Sequence, residues 1–265
     1  FSHGCSPTYD PNILVGRDRS KNFTKLYNDS IAKPLFNRSL QGVYEPGSPF
    51  KLMNALIALQ EGVLTPDETV TCYAGYKYGN RFMKCHCNRG TRNNMITGIQ
   101  RSCNAYFATT YRKILDKNGS SSDGIDIWSK HAQSFGLGNF LNNDLFVGQK
   151  GRIPDRAYYK RIYPKTFYST YTISNAIGQG EVATTPIQLA NMTAAIANKG
   201  FYFTPHIINS IEGESINEKF TEKKETTIHP SYFEPVIEGM HKVYTNGTAS
   251  FLKVPGIDIC GKTGT

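Results

Sequence analysis

Glu45-Pro46-Gly47-Ser48-Pro49-Phe50-Lys51-Leu52-Met53-Asn54-Ala55-Leu56-Ile57-Ala58-Leu59-Gln60-Glu61-Gly62 carries the clearest helical signal in the 265-residue chain. Leu52, Ala55, Leu56 and Leu59 fall at i, i+3, i+4 and i+7, which is one apolar stripe. Pro49 suits a first helical turn, where its missing N–H is not needed, and Gly62 suits the position just past the end. A helix is therefore expected from about Pro49 to Glu61. Ser48 stands at its N-terminus, and Lys51 lies one turn on, on the same face. A serine hydroxyl is a weak nucleophile and needs a nearby base. Lysine serves as one when burial or a second cation favours its neutral form. Leu52 and Leu56 are placed to bury Lys51, and Lys262 is a candidate second cation. A helix N-terminus also offers a backbone N–H to a developing oxyanion. Taken alone, Ser48 is equally well a plain N-cap and Lys51 a solvated lysine.

Outward from this helix the chain divides by punctuation. Residues 1–47 are loop-rich, broken by Pro7, Pro11 and Pro34. Residues 65–92 are irregular and rich in Tyr, Gly and Cys. Helices are expected over about 93–101, 104–116 and 123–135, on apolar positions such as Ile99, Phe107, Tyr111 and Trp128. Residues 137–180 read as a Tyr-rich excursion of loops. Thr185-Pro186-Ile187-Gln188 pairs a capping box with Pro at the first helical position, so a helix should run to Lys199 and stop at Gly200. Short strands are expected near 201–210 and 226–228, a last helix over about 232–244, and a strand over 257–265. Helices in the middle with strands at the end argue for a mixed α+β fold: an antiparallel sheet flanked by helices, with a helical lobe.

Two further clusters carry chemistry. Ser102-Cys103-Asn104 sits at a junction of two expected helices. Ser102 is placed to relay a proton to a leaving amine, and Asn104 to hold a substrate amide, although Ser and Asn also cap helices well. Lys262-Thr263-Gly264-Thr265 closes the chain on the expected strand. Lys262 and Thr263 can grip a carboxylate. Gly264 lets a substrate backbone approach closely, and the Thr265 N–H is a candidate second oxyanion donor. Each cluster alone is weak. The ordered set S-x-x-K, S-x-N, K-T-G, each in its expected structural setting, is specific.

Bulk properties agree. Hydrophobic residues at 39% and charged residues at 19% suit a globular chain rather than a disordered one. The net charge of +9 implies a solvated basic surface. No Lys/Arg-rich run with interleaved aromatics points to nucleic acid. No apolar stretch approaches the ~18 residues of a membrane span. The chain reads as a piece of a longer protein, with any anchor outside it.

The three motifs are those of the serine enzymes that react with penicillin. The chain resembles the transpeptidase domain of class B penicillin-binding proteins, most closely the elongation type, penicillin-binding protein 2. Nearly the whole length takes part. Residues 6–12 look like the family's segment after an early strand, and residues 37–48 like its approach to the nucleophile. Residues 174–181 and 185–190 look like its G-Q-G loop and following helix. Residues 261–265 match its third sheet strand. Position 49 is Pro where the family usually has Thr. The family's sheet continues past K-T-G with two more strands and a helix, so a chain stopping there leaves sheet edges uncovered.

The resemblance implies one transpeptidase domain over 1–265, cut at both ends, with a helical lobe at about 49–170 set into the α/β part. It implies D,D-transpeptidation of peptidoglycan. Ser48 attacks the D-Ala-D-Ala bond of a stem peptide, Lys51, Ser102, Asn104 and Lys262 assist, and Thr263, Gly264 and Thr265 bind the substrate along the strand. It implies acylation by β-lactam antibiotics and a membrane glycosyltransferase of the elongation machinery as partner. It also places the domain in the periplasm, on a protein anchored in the inner membrane. No cofactor is needed for the chemistry. A D,D-carboxypeptidase, a serine β-lactamase and a non-catalytic β-lactam-sensing receptor domain share the motifs. The hydrolases need a base that activates water, and no dedicated Glu can be assigned to that task.

Cys72, Cys85, Cys87 and Cys103 form a C-x12-C-x-C-x15-C pattern, with Cys5 and Cys260 apart. Four thiolates suit tetrahedral zinc, and a structural zinc ion there would position Ser102 and Asn104 without doing chemistry. His86 is an alternative ligand. A disulfide from Cys72 to Cys85 or Cys87 and free thiols are the other readings. The remaining histidines read as surface or core residues. The Tyr-rich 158–171 stretch reads as packing or as a groove for glycan or acceptor stem.

Overall fold

The computed structural model describes residues 6–264. A 3-10 turn, Pro11–Leu14, precedes helices α1 (Arg19–Asn28), α2 (Arg38–Gln41) and α3 (Phe50–Gln60). Strands β1 (Val70–Cys72), β2 (Gly75–Tyr78), β3 (Arg81–Lys84) and β4 (Thr91–Asn93) follow. Then come α4 (Met95–Gln100), α5 (Asn104–Asp116), α6 (Ser121–Ser134), α7 (Arg156–Ile162) and the 3-10 segment Ser169–Ile177. The chain continues through α8 (Pro186–Ala197), β5 (Phe201–Tyr202), β6 (Lys224–Glu225) and α9 (Phe233–Asn246).

Helix α3 is the axis of the core. Every residue from Phe50 to Leu59 is buried, as expected of a helix that is apolar nearly all round. Lys51 and Asn54 are the polar residues within that buried run. Helix α5 and the Ser169–Ile177 segment pack against α3, while α4 lies on α9. Trp128 of α6 fills the centre, edge-on to both Phe50 and Tyr111. Its indole N–H donates to Asn54 Oδ1 at 2.7 Å, and Asn54 Nδ2 donates to the Ala176 carbonyl at 2.9 Å. A buried amide is stable only when its polar atoms are met. Asn54 therefore fixes the α3 axis to the segment that leads into Gly178.

The mixed helix-and-strand class and the main helices agree with the sequence reading. Gly62 follows α3 at φ +62°, and Thr185 and Gln188 form the capping box of α8. Four local expectations are corrected. Residues 65–92 are ordered into two antiparallel ladders, β1 with β4 and β2 with β3. Ladders of three or four residues are too short to show an alternating pattern. The 137–180 stretch contains α7 and the Ser169–Ile177 segment, where Tyr163 and Phe167 each stack on Tyr159. Aromatic packing thus accounts for much of the tyrosine content there. Helix α1 has no buried residue, so no apolar stripe announced it. Residues 257–264 form no strand, and β5 and β6 make only a two-residue ladder. Among the described residues the sheet is represented by three two-stranded pieces. A strand exists through its neighbours, and Gly261 N–H bonds to the α9 carbonyl of Met240 instead.

Candidate active site

Ser48 is held by the turn that enters α3. Gly47 takes φ +63°, and its N–H donates to the Gly178 carbonyl at 2.8 Å. Gly178 is itself left-handed at φ +70°, and a Cβ there would run into the Gly47 carbonyl and come within 2.7 Å of Phe50 Cβ. Only glycine allows this approach. On the far side, the Glu45 carboxylate accepts from Gly180 N–H at 3.1 Å. The 178–180 turn thus clasps both flanks of the approach to Ser48.

Lys51 is fully buried. Its Nζ donates to the Ser102 carbonyl at 2.8 Å, to Ser102 Oγ at 3.1 Å and to Asn104 Oδ1 at 2.6 Å. Ser102 Oγ in turn donates to Ser48 Oγ at 3.2 Å. The sequence placed Lys51 one turn on from Ser48 and within reach of its hydroxyl; the structure connects them through Ser102. Burial lowers the Lys51 ammonium to about 8, against a smaller opposing pull from Cys85, Cys103 and Cys87. Ser102 takes φ +51°, an uncommon conformation for a residue with a Cβ. Such local strain persists only where the surroundings over-determine it. The loop is fixed because Cys103 caps α5, with Sγ accepting from Tyr106 N–H at 3.4 Å, and because Asn104 Nδ2 donates to the Lys84 carbonyl at 2.9 Å. The cap expected from Ser102 or Asn104 belongs to Cys103.

The K-T-G segment comes to the same place without forming a strand. Gly264 lies against the Pro49 ring, 3.7 Å from a Cβ position to Cδ. Lys262 Nζ bonds to the Thr263 carbonyl at 3.1 Å, and Thr263 Oγ1 bonds to Thr248 Oγ1 at 2.9 Å. Burial, then the charge of Lys51, lowers Lys262 to about 7. A buried lysine depressed further by a neighbouring ammonium is an anion site in waiting, since a bound carboxylate restores the charged form. Thr265 lies outside the described residues.

The four cysteines converge. The β1–β4 pairing sets Cys72 opposite Thr91, and Cys85 N–H closes on the Ala74 carbonyl at 2.9 Å. The sulfurs of Cys72, Cys85, Cys87 and Cys103 all lie within 4.8 Å of one another, and none is in a disulfide. Tetrahedral thiolate ligation at ~2.3 Å puts sulfurs about 3.8 Å apart, and Cys85 and Cys103 are 3.9 Å apart. Their shared hydrogen bond drives the Cys85 thiol well below its usual range and Cys103 upward. The donor set has the size and chemistry of a tetrahedral metal site. His86 is not part of it; its Nε2 bonds to the Arg101 carbonyl at 2.6 Å. Asn104 N–H donates to Cys85 Sγ at 3.3 Å, so the cluster is tied to the catalytic-type loop.

Sequence reasoning missed Asn54, Thr248 and the Lys84 carbonyl. Asn54 was legible as an amide inside an apolar helix. Thr248 and Lys84 act through loop geometry that leaves no local pattern.

This arrangement has counterparts in known proteins. A family profile described as the penicillin-binding protein transpeptidase domain matches residues 2–265. Peptidoglycan D,D-transpeptidase MrdA of Escherichia coli K12 is 31% identical over 270 residues, covering 98% of this chain and 41% of that protein. The crystal structure of Pseudomonas aeruginosa PBP2 in complex with WCK 5153 superposes with a TM-score of 0.80 at 32% identity, over 93% of this chain and 55% of that one. A structure of a peptidoglycan synthase complex, titled for its coordination of polymerization and crosslinking, matches with a TM-score of 0.83 at 30% identity, over 98% of this chain and 42% of that one. The chain spans about two fifths of the length of the curated relatives it matches. With the fold, the ordered motifs and their convergence in agreement, the chain belongs to the penicillin-binding protein transpeptidase domain family.

Proposed function

We propose that this chain is the acyl-transferring part of a peptidoglycan D,D-transpeptidase of the penicillin-binding protein 2 type. The observation that carries the reading is the hydrogen-bonded path Ser48 Oγ, Ser102 Oγ, Lys51 Nζ. When Lys51 is neutral the path reverses: Lys51 accepts from the Ser102 hydroxyl, which accepts from Ser48. The Ser48 oxygen then forms an ester with the penultimate D-Ala carbonyl. The C–N bond breaks, and the terminal D-Ala leaves as an amine with the proton carried by the path. An amine from a neighbouring stem attacks the ester, Ser48 recovers its proton, and a cross-link remains. Lys262 and Thr263 bind the substrate carboxylate, Gly264 lies along its backbone, and Asn104 holds an amide. β-Lactams acylate the same serine.

Glu45 and Glu181, the carboxylates flanking the 178–180 turn, bind Gly180 N–H and the Tyr159 hydroxyl rather than Ser48. That favours amine acceptors over activated water. No helix is long and apolar enough to cross a membrane among the described residues. On this reading the domain works in the periplasm as part of an inner-membrane protein, alongside a glycosyltransferase. The likeness to a synthase complex that couples polymerization and crosslinking supports that partner. The test is incubation with a D-Ala-D-Ala donor peptide and an amine acceptor. Cross-linked product is expected. Rapid multiple turnover of nitrocefin would instead identify a hydrolase, and acylation without product a receptor.

The thiolate cluster is assigned to one zinc ion held by Cys72, Cys85, Cys87 and Cys103. When bound, zinc supplies a cross-link, not a Lewis acid at the scissile bond. Cys103 lies between Ser102 and Asn104, so this link holds the two side chains that Lys51 contacts. Metal analysis is expected to find one zinc per chain, lost in Cys85→Ser. Acylation should then slow by roughly tenfold, the scale of ligand-support losses. A zinc-free protein with four reactive thiols would contradict the assignment.

A further inference from the structure

Around Gln100 and Arg101, which lead into Ser102, lies a cleft of ≈ 460 Å³, within the size range of ligand sites. Its floor is built by contact between α4 and the end of α9. Gln100 Nε2 donates to Asn246 Oδ1 at 2.9 Å, and Thr248 N–H to the Gln100 carbonyl at 3.3 Å. Gly247 makes this possible, because a Cβ there would sit 2.7 Å from the Gln100 carbonyl. One wall is the thiol loop at 86–88, the other is 246–248. The second wall reaches the K-T-G segment directly, through the Thr248–Thr263 hydroxyl contact.

The lining is rich in amides and hydroxyls and holds neither Asp nor Glu. Its one fixed cation is Arg101, exposed at the rim. Arg101 Nη1 touches Asn93 Oδ1 at 3.2 Å, and among the described residues no carboxylate pairs with it. The Arg101 carbonyl accepts from His86 Nε2, and the residue caps α4 immediately before Ser102. A guanidinium presents a planar fork that matches a carboxylate bidentately. Amides and hydroxyls in the same cleft can pair with a peptide backbone.

We propose that this cleft is the subsite for the part of the donor peptide that precedes D-Ala-D-Ala, and that Arg101 pairs there with a carboxylate borne by that peptide. The inference rests on the transpeptidase reading. It makes Arg101 a specificity residue rather than part of the acylating machinery. Penicillin carries no preceding peptide and no such internal carboxylate, so the two ligands separate the roles.

The test measures acylation of the parent, Arg101→Ala and Arg101→Lys by a fluorescent penicillin and by two D-Ala-D-Ala-ended peptides. One peptide carries an internal carboxylate and the other its amide. Penicillin labelling is expected to stay within twofold in all three proteins, which also shows that the variants fold. Reaction with the carboxylate peptide should fall at least tenfold in Arg101→Ala, through KM rather than kcat. Arg101→Lys should recover part of the loss, and the amidated peptide should be nearly indifferent to the change. Equal losses for both peptides, or none, would overturn the assignment of the cleft. Absence of penicillin labelling in the parent itself would overturn the transpeptidase reading instead.

Discussion

Benzylpenicillin is expected to add once to this chain, as a single mass increment, and Ser48→Ala is expected to gain no increment over hours. Four hydroxyls crowd the region, so the result is not trivial. Ser102 Oγ lies 3.2 Å from Ser48 Oγ, and Thr263 Oγ1 is bonded to Thr248. Ser48 alone stands at the N-terminus of a long buried helix, where the positive end of the helix dipole favours a developing oxyanion. Ser102 is already engaged by Lys51 and held at φ +51° by the loop around it. Alanine at 48 removes one exposed-edge oxygen from the turn and leaves the Gly47–Gly178 contact intact, so the fold should survive. An adduct that persists in Ser48→Ala would assign the nucleophile elsewhere.

Lys51→Met should lower acylation by roughly 10³-fold, within the range lost when a positioned base is removed. At 1.36 kcal/mol per decade that is about 4 kcal/mol of barrier. Methionine keeps much of the side-chain volume inside α3 but cannot take a proton. It also leaves the Ser102 carbonyl and Asn104 Oδ1 without their donor. Unmet buried acceptors cost about 1–3 kcal/mol, so a lower melting temperature should accompany the kinetic loss. Circular dichroism and Ser48-independent thiol counts separate the two effects. Acylation within tenfold of the parent would remove Lys51 from the proton path.

Much of this site was legible because its residues sit on strongly patterned elements. Ser48 and Lys51 are fixed by an apolar helix whose stripe and boundaries are local properties of 49–62. Thr185 and Gln188 announced α8 through a reciprocal cap. The four cysteines marked a cluster because free thiols at such density are chemically conspicuous. What stayed hidden depends on contacts between distant segments. The position of Ser102 between Lys51 and Ser48 follows from a left-handed residue and a cysteine cap, neither of which periodicity reveals. Helix α1 buries nothing and therefore carries no stripe. The 257–264 segment has strand-like composition, yet Gly261 N–H donates to the Met240 carbonyl of α9 rather than to a neighbouring strand. β-Propensity describes a surface that fits a sheet, not the presence of one.

The central claim is that burial makes Lys51 a base near neutral pH and that it reaches Ser48 through Ser102. The limiting acylation rate at saturating penicillin, followed from pH 6 to 10, tests this most directly, because the ligand carboxylate then keeps Lys262 charged. The reactive form is neutral Lys51, so the rate should climb as pH rises and level off above a midpoint near about 8, the value to which burial brings this lysine. A midpoint at the ordinary lysine value of 10.5, or a rate indifferent to pH across the range, would contradict the account.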